Sequence, residues 1–197
     1  DYEISQLRLN ISKRDYIKNI DKIRHYIKQG DIYQANYTVK YNFDFQGSPI
    51  ALYQDLKKKQ NVAYNVLAKF GHDYILSLSP ELFFYKNNQD ITVKPMKGTF
   101  KRGRNLIEDK QNETFLANDV KNRSENLMIL DLLRNDLGRI SKYGSVQVPA
   151  MFRVEKYNTL FQMTSTVNSK LNPDVSLYQF LKSIFPCGSI TGAPKIR

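Results

Sequence analysis

Residues 74 to 99 of the chain read YILSLSPELFFYKNNQDITVKPMKGT. In this stretch, short runs of aliphatic, aromatic and β-branched residues alternate with prolines and with an Asn-Asn-Gln-Asp turn. Such runs, bounded by turn residues, are typical of antiparallel strands. The stretch therefore predicts an antiparallel sheet, with Glu81 and Lys97 at strand ends, where a sheet can present reactive side chains to a cleft. The predicted strands are 74–79, 82–85 and 91–94.

Helical periodicity flanks this stretch on both sides. Residues 12–29 carry apolar residues at the spacing of one helix face, with Ser12 as a cap and Gly30 as a stop. Residues 112–137 lack Gly and Pro and are predicted to form one long helix that ends at Gly138. Further strands are predicted at 32–45, 63–70, 146–148 and 154–167, and further helices at 49–59, at 176–184 and from Thr191 onward. The pattern predicts an α+β fold.

The composition indicates one globular domain. The chain has 197 residues, of which 41% are hydrophobic and 12% aromatic, and it contains no repeat and no evident linker. We therefore predict a single domain over residues 1–197. The sequence shows no signal-peptide pattern and no apolar run of membrane-spanning length, and Cys187 is its only cysteine. These features predict a cytoplasmic protein in a reducing compartment that does not bind a membrane.

The formal charge of +11 makes nucleic-acid binding an alternative from a different functional class. However, the 30 basic residues are scattered, and the only tight run is at 57–59. No helix-turn-helix, RNA-recognition or zinc-finger signature accompanies them. A solvated basic surface explains the composition equally well, and we expect no nucleic-acid partner.

Four short motifs carry the candidate chemistry, and they occur in a fixed order. A lysine beside a flexible Gly-Thr corner can be a nucleophile if desolvation or neighbouring cations favour its unprotonated form; it can also be an ordinary surface lysine. Likewise, Glu81 can be a general acid or a turn carboxylate, and the last motif can bind an anion or simply cap a turn. The motifs are Ser79-Pro-Glu81, Pro95-Met-Lys-Gly-Thr99, Glu125-Asn-Leu-Met128 with Asp131-Leu-Leu-Arg-Asn-Asp136, and Gly188-Ser-Ile-Thr-Gly-Ala-Pro-Lys195.

Together these motifs resemble those of the chorismate-utilising enzyme family, over residues 15–197. The resemblance implies an α+β sandwich of antiparallel sheets flanked by helices, with an active site between its halves. It also implies that family members continue past Lys195, so we expect the fold to be incomplete at its C-terminus. The part beyond Arg197 would supply a second magnesium-binding glutamate, and we expect the isolated chain to be inactive or impaired.

Within the family, the segment from Pro95 to Thr99 is most similar to that of component I of the aminodeoxychorismate synthases. Anthranilate synthases usually carry alanine at the position of Lys97, and salicylate and isochorismate synthases carry a lysine base at the position of Gln34. Gln162 stands where anthranilate and salicylate synthases have a histidine linked to pyruvate elimination. The resemblance thus implies amination of chorismate to 4-amino-4-deoxychorismate, for 4-aminobenzoate and folate synthesis. Anthranilate synthase component I remains the nearest alternative.

The resemblance also implies roles for individual residues. Lys97 would be the nucleophile, Glu81 the general acid and Glu125 a Mg²⁺ ligand, and ammonia would come from a glutamine amidotransferase subunit. Asn122 departs from the family pattern, which usually has Asp or Glu there. For residues 131–136 we favour structural salt bridges over catalysis. The positions implied to bind substrate are Gln34, Gly98, Thr99 and Ser189.

Overall fold

The computed structural model of the protein describes residues 1–60 and 62–195. From the N-terminus the elements are β1 (Tyr2–Leu9), α1 (Lys13–Gln29), β2 (Gln34–Ala35), β3 (Tyr41–Gly47), α2 (Pro49–Lys59), β4 (Tyr64–Phe70), β5 (Asp73–Ser79), β6 (Leu82–Asn87), β7 (Asp90–Lys94), β8 (Met96–Lys101), α3 (Leu106–Asn118), α4 (Val120–Gly138), β9 (Gln147–Lys156), β10 (Leu160–Lys170), α5 (Leu177–Ile184), α6 (Gly188–Thr191) and β11 (Gly192–Ala193). All strand pairs in the described ranges are antiparallel. The α+β class with antiparallel sheets is therefore confirmed.

The chain divides into two compact units, one formed by Asp1–Asp31 with Asn36–Glu81 and the other by Ile32–Ala35 with Leu82–Arg197. The first unit contains two separate two-stranded ladders, β1 with β3 and β4 with β5, together with α1 and α2. Helices α1 and α2 begin at the predicted positions. Their starts are fixed by Ser12 and Ser48, whose hydroxyl groups accept hydrogen bonds from backbone amides of the first helical turn. Gly30 ends α1 with φ of +78°, a conformation that glycine adopts without strain. The prediction of a single domain stays a prediction.

The second unit is built around the long strand β10. One edge of β10 pairs with β9, and the other pairs with β8 and then β7, which in turn pairs with β6. Helix α4 packs on this sheet and buries Ile129, Leu130 and Leu133 against Val167 and the α5 residue Phe180. Burial of large aliphatic and aromatic side chains such as these is the main stabilising term for the unit.

Three predicted elements have different bounds in the structure. The helix predicted at 112–137 is two helices, α3 and α4, because Asp119 leaves helical geometry and caps α4 through the Asn122 amide. The strand predicted at 154–167 is the hairpin of β9 and β10, which turns at residues 157–159. The strand predicted at 32–45 is interrupted, and the helix predicted from Thr191 instead ends there, as α6. Lys97 is not at a strand end but within β8, and neither β1 nor β8 was predicted.

No helix in the described residues is long and apolar enough to cross a membrane.

A buried carboxylate joins α3 to the end of β8. Asp109 accepts two hydrogen bonds from the Arg102 guanidinium, at 2.6 and 2.7 Å, and one from the Gly103 amide at 2.8 Å. The Lys156 ammonium lies 2.9 Å from the same carboxylate. Hydrogen bonds from Arg102, followed by those from Lys156, hold the pKa of Asp109 well below its usual range. The network fastens the strand that carries Lys97 to the helix beside it.

Because this pKa is lowered by folding, the stabilisation from Asp109 is fully present above its unfolded value of about 3.9 and is lost as the pH falls toward the folded value. We expect Asp109→Asn to lower the melting temperature most at neutral pH. The difference from the parent protein should then shrink as the pH falls below about 4. Thermal unfolding followed by circular dichroism between pH 7 and pH 3 measures this. A difference in melting temperature that stays constant with pH would contradict the assignment.

Candidate active site

Lys97 lies at a β-bulge in strand β8. In the ladder between β8 and β10, Thr99 pairs with Gln162 and Met96 pairs with Thr164. Two residues of β8, Lys97 and Gly98, therefore stand opposite the single residue Met163. A bulge of this kind bends the strand and redirects its side chains, and bulges are frequent next to active sites.

The Lys97 ammonium contacts the last motif of the chain. Its Nζ donates a hydrogen bond to the main-chain carbonyl of Ser189, at 2.9 Å, and the lysine side chain is half-buried. Ser189 is buried in the short helix α6, where its hydroxyl lies 3.2 Å from the Cys187 thiol. Two motifs separated by about ninety positions in the sequence thus meet at one hydrogen bond. The hydrogen bond to the Ser189 carbonyl therefore fixes the position of the Lys97 amine.

Gln34 reaches the same unit through strand β2, which pairs with β11 immediately after α6. The backbones approach so closely that a Cβ on Gly192 would lie 2.2 Å from the Gln34 carbonyl oxygen, so only glycine is tolerated there. The Gln34 side-chain oxygen Oε1 is buried and has no hydrogen-bond partner within the described residues. A buried acceptor without a partner carries a desolvation cost that a donating ligand group can relieve.

Gly98 and Thr99 complete the central motif. Gly98 has φ of +104°, and a Cβ added to it would lie in tight contact with Asn122 of α4 and Met163 of β10. Thr99 is exposed, and its hydroxyl donates to Gln162 Oε1 at 3.0 Å. That hydrogen bond holds the Gln162 side chain in a fixed orientation.

We expect Gly98→Ala to destabilise the protein by about 1–3 kcal/mol, because alanine is strained at this φ. The added Cβ would also lie 3.1 Å from the Asn122 Cβ and 3.2 Å from the Met163 Cβ, which is tighter than ordinary contact. Gly144→Ala is a matched control, because Gly144 also has a positive φ but its added Cβ would meet nothing within 4 Å. Chemical denaturation of both variants measures the difference. An equal loss of unfolding free energy in the two variants would show that packing against α4 does not restrict the residue at position 98.

Glu125 and Asn122 are the residues that fit the magnesium ion implied by the resemblance. They lie three positions apart on α4 and so share one face of the helix. The Glu125 side chain is 41% exposed, with Lys121 3.9 Å away. Asn122 Nδ2 donates to Asp119 at 2.8 Å, and an added Gly98 Cβ would lie 3.2 Å from Asn122 Oδ1. One carboxylate and one amide oxygen fit Mg²⁺, which binds through one or two carboxylates and otherwise through water or substrate oxygens.

Within residues 1–60 and 62–195, no three His, Cys, Asp or Glu side chains lie close enough to hold a metal ion together. A magnesium site of the kind described for Glu125 does not require such a group.

Glu81 lies between β5 and β6, in the first unit, whereas the other predicted site residues belong to the second. The Ser79 hydroxyl accepts from the Glu81 amide at 3.2 Å and donates to the Glu81 carbonyl at 3.0 Å. These hydrogen bonds fix the backbone of the turn that carries the Glu81 carboxyl group. Glu81 is half-buried.

The Asp-Leu-Leu-Arg-Asn-Asp segment forms salt bridges, as the sequence analysis favoured. Asp131 pairs with Arg134 at 2.8 Å on the exposed side of α4. Asp136 is buried and pairs with Lys195 at 2.7 Å and with Arg139 at 2.5 Å. The buried part of the segment therefore ties α4 to the residues that follow β11.

Sequence reasoning missed two residues of this region. Asn126 was quoted within a motif but was given no role, although it is fully buried and contacts the Lys97 carbonyl. The one sequence feature that could have indicated a role for Asn126 is its position, because it is a polar residue on the helix face that the periodicity predicts to be buried. Lys195 was quoted as the end of a motif, and no local pattern indicated that its ammonium is buried against Asp136.

Comparison with known proteins identifies the family of the chain. Residues 2–197 match the family of chorismate binding enzymes. The chain belongs to this family. Its match to aminodeoxychorismate synthase component 1 of Klebsiella aerogenes is 36% identical and covers 98% of the chain but only 43% of that relative. Anthranilate synthase component 1 of Acetivibrio thermocellus is 35% identical over 95% of the chain and 38% of its own length.

Solved structures show the same fold in this family. The crystal structure of anthranilate synthase component I from Streptococcus pneumoniae superposes with a TM-score of 0.87 at 30% identity, covering 98% of the chain and 42% of that protein. The predicted fold class is thereby confirmed by a second observation. The chain spans less than half the length of these family members, and the two kinds of synthase match it at nearly equal identity. The choice between their reactions therefore rests on the residues of the site.

Proposed function

We propose that this chain is part of an aminodeoxychorismate synthase component I, which aminates chorismate to 4-amino-4-deoxychorismate for 4-aminobenzoate and folate synthesis. The observation that carries the proposal is Lys97, which stands in a β-bulge with its Nζ 2.9 Å from the Ser189 carbonyl. A half-buried amine at a fixed position is suited to covalent catalysis, whereas an unconstrained surface lysine is not.

In the proposed mechanism the Lys97 amine, once it has lost its proton, attacks the chorismate ring and displaces the ring hydroxyl group. Glu81 donates a proton, the hydroxyl leaves as water, and a carbon–nitrogen bond joins lysine to the ring. Ammonia then attacks this adduct and displaces the lysine amine, which leaves the amino group on the ring carbon that carried the hydroxyl. Gln34, Gly98, Thr99 and Ser189 surround the substrate in this proposal.

Glu125 would hold a magnesium ion, which when bound supplies positive charge to the substrate carboxylate. Ammonia would come from a glutamine amidotransferase subunit, and the relatives' designation as component 1 supports a two-component enzyme. Cys187 is the only cysteine of the chain, and it contacts a serine hydroxyl. We therefore assign the release of ammonia from glutamine to the partner subunit.

If Glu125 binds the ion, Glu125→Gln should weaken the apparent affinity for Mg²⁺ by about tenfold or more, because the site loses its carboxylate. Isothermal titration of Mg²⁺ into the native gene product in the presence of chorismate measures this. Glu113→Gln is the matched control, because Glu113 is a carboxylate on α3 that forms an ion pair with the exposed Lys110. An affinity that Glu125→Gln leaves unchanged would remove Glu125 from the magnesium site.

Anthranilate synthase component I is the second candidate function. It is favoured by the TM-score of 0.87 with the Streptococcus pneumoniae enzyme and by relatives at 35% identity. Against it stand Lys97 and Gln162, since the resemblance implies alanine and histidine at these positions in anthranilate synthases. A basic binding domain, the alternative from another class, predicts salt-sensitive association with DNA or RNA instead.

The deciding experiment is chromatographic identification of the products formed from chorismate, ammonium and magnesium. It compares the native gene product containing residues 1–197 with the 197-residue chain. The proposal expects 4-amino-4-deoxychorismate from the native gene product and little or none from the shorter chain. Anthranilate as the product would support the second candidate, and no consumption of chorismate by either protein would refute both.

A further inference from the structure

Asn126 occupies a fully buried position on α4, between strands β8 and β10. Its amide Nδ2 donates to the carbonyl oxygens of Lys97 and Met163, both at 3.3 Å. Its Oδ1 accepts from the Ser165 hydroxyl at 2.5 Å. Both ends of the amide are therefore occupied, which is the condition under which a buried polar side chain specifies a single arrangement of its surroundings.

The two carbonyls that Asn126 contacts are those of the bulge. Lys97 is one of the two β8 residues that face Met163, and Met163 is the residue they face. At a bulge the ladder is locally disrupted, and an extra residue is left without its regular partner. The Asn126 amide thus supplies hydrogen bonds at the point where the ladder between β8 and β10 is irregular.

The Ser165 hydroxyl extends this network across β10. It accepts from the Phe152 amide at 3.1 Å, and the Ser165 amide donates to the Pro95 carbonyl at 3.1 Å. The segment from Pro95 to Lys97 is consequently held from β10 and from α4 at the same time. The direction in which the Lys97 side chain leaves the backbone is set by these contacts.

We infer that Asn126 is a positioning residue, which holds the Lys97–Gly98 bulge in the shape that aims the Lys97 amine at its target. Its effect on the arrangement of Lys97 follows from the geometry alone, whereas its effect on turnover rests on the proposed function. A displacement of about 1 Å in a catalytic group can cost on the order of 100-fold in rate. A role in positioning therefore predicts a loss in kcat with little change in KM for chorismate.

The test uses Asn126→Leu, which keeps the branched shape of the side chain but removes the hydrogen bonds, and Asn126→Ala, which is smaller and favours helix. Each native gene product is labelled briefly with acetic anhydride, and modification of Lys97 relative to Lys101 is measured by peptide mass spectrometry. Lys101 is an exposed lysine on the same strand and serves as the internal reference. We expect labelling of Lys97 to rise relative to Lys101 in both variants, and kcat to fall by about 10- to 100-fold.

Ser165→Ala is the control, because it removes the partner of Asn126 Oδ1 but leaves the donor that contacts the Lys97 carbonyl. It should lower the melting temperature while Lys97 keeps its labelling. Unchanged Lys97 labelling and kcat in folded Asn126 variants would overturn the inference, as would a Ser165→Ala variant that reproduces both changes in full. If labelling of Lys97 rises but the parent protein does not aminate chorismate, the positioning role stands and the proposed function fails.

Discussion

Lys97→Ala is expected to lower the rate of chorismate amination by about three orders of magnitude or more, because the proposed reaction loses its nucleophile. The measurement is the initial rate of 4-amino-4-deoxychorismate formation by the native gene product with saturating ammonium and magnesium. Lys97→Arg should be equally inactive, since arginine keeps the positive charge but is effectively never deprotonated. This second variant separates a nucleophilic role from a purely electrostatic one.

Lys101→Ala is the matched control, because it removes an exposed lysine from the same strand. It should retain nearly full activity and the parent protein's melting temperature. Amination that survives Lys97→Ala would refute the lysine mechanism, and anthranilate formation unchanged by the substitution would assign the protein to the second candidate function.

Asp136→Asn is expected to lower the free energy of unfolding by about 3–5 kcal/mol, because it removes one partner of a buried ion pair. Asp136 and Lys195 have side-chain exposures of 1% and 3%, with 2.7 Å between their charged atoms. Without the carboxylate, the Lys195 ammonium keeps only the Ser183 carbonyl, also at 2.7 Å, as its partner in the described structure. A buried charge that has lost its counter-ion is strongly destabilising.

Asp131→Asn provides the comparison on the same helix. Asp131 pairs with Arg134, but the two side chains are 70% and 50% exposed, so its loss should cost less than about 1 kcal/mol. Urea unfolding of both variants in the native gene product gives the two values. A loss for Asp136→Asn as small as that for Asp131→Asn would show that the Lys195 ammonium is hydrated rather than buried.

The same ion pair has a consequence for the site. Lys195 follows the segment that includes Ser189 and β11, and its bond to α4 fixes the end of that segment. The Ser189 carbonyl is the acceptor for the Lys97 ammonium. Loss of the pair should therefore reduce activity even at temperatures where the variant remains folded.

Local sequence was sufficient for the parts of the structure that local chemistry specifies. The helix at Lys13–Gln29 was predictable because its capping serine, its apolar face and its terminal glycine all lie within one short segment. The strands on either side of Glu81, and the strand β7 that follows them, were predictable because turn residues separate runs of strand-forming residues. The motifs, through their resemblance to a known family, predicted the fold class that the structure confirms.

Local sequence was not sufficient where the outcome depends on which segments meet. The break at Asp119 is favoured by a capping hydrogen bond to Asn122, which competes with continuation of the helix and has no signal from glycine or proline. Residues 157–159 form the turn of a hairpin between β9 and β10. The sequence did not show that these are two strands, because they become distinct only through the pairing of β10 with β9 on one edge and with β8 on the other. Register and partner choice are long-range properties, which periodicity does not report.

By itself, the sequence determined the residue types available for catalysis: a lysine beside a glycine, a glutamate in a turn, and a single carboxylate at the start of an apolar helical segment. Only the tertiary structure decided how Lys97 is held, because the bulge opposite Met163, the Asn126 amide and the Ser189 carbonyl come from separate parts of the chain. The physical reason is that a side chain's chemistry is local, whereas its direction and its hydrogen-bond partners are set by packing between elements distant in sequence.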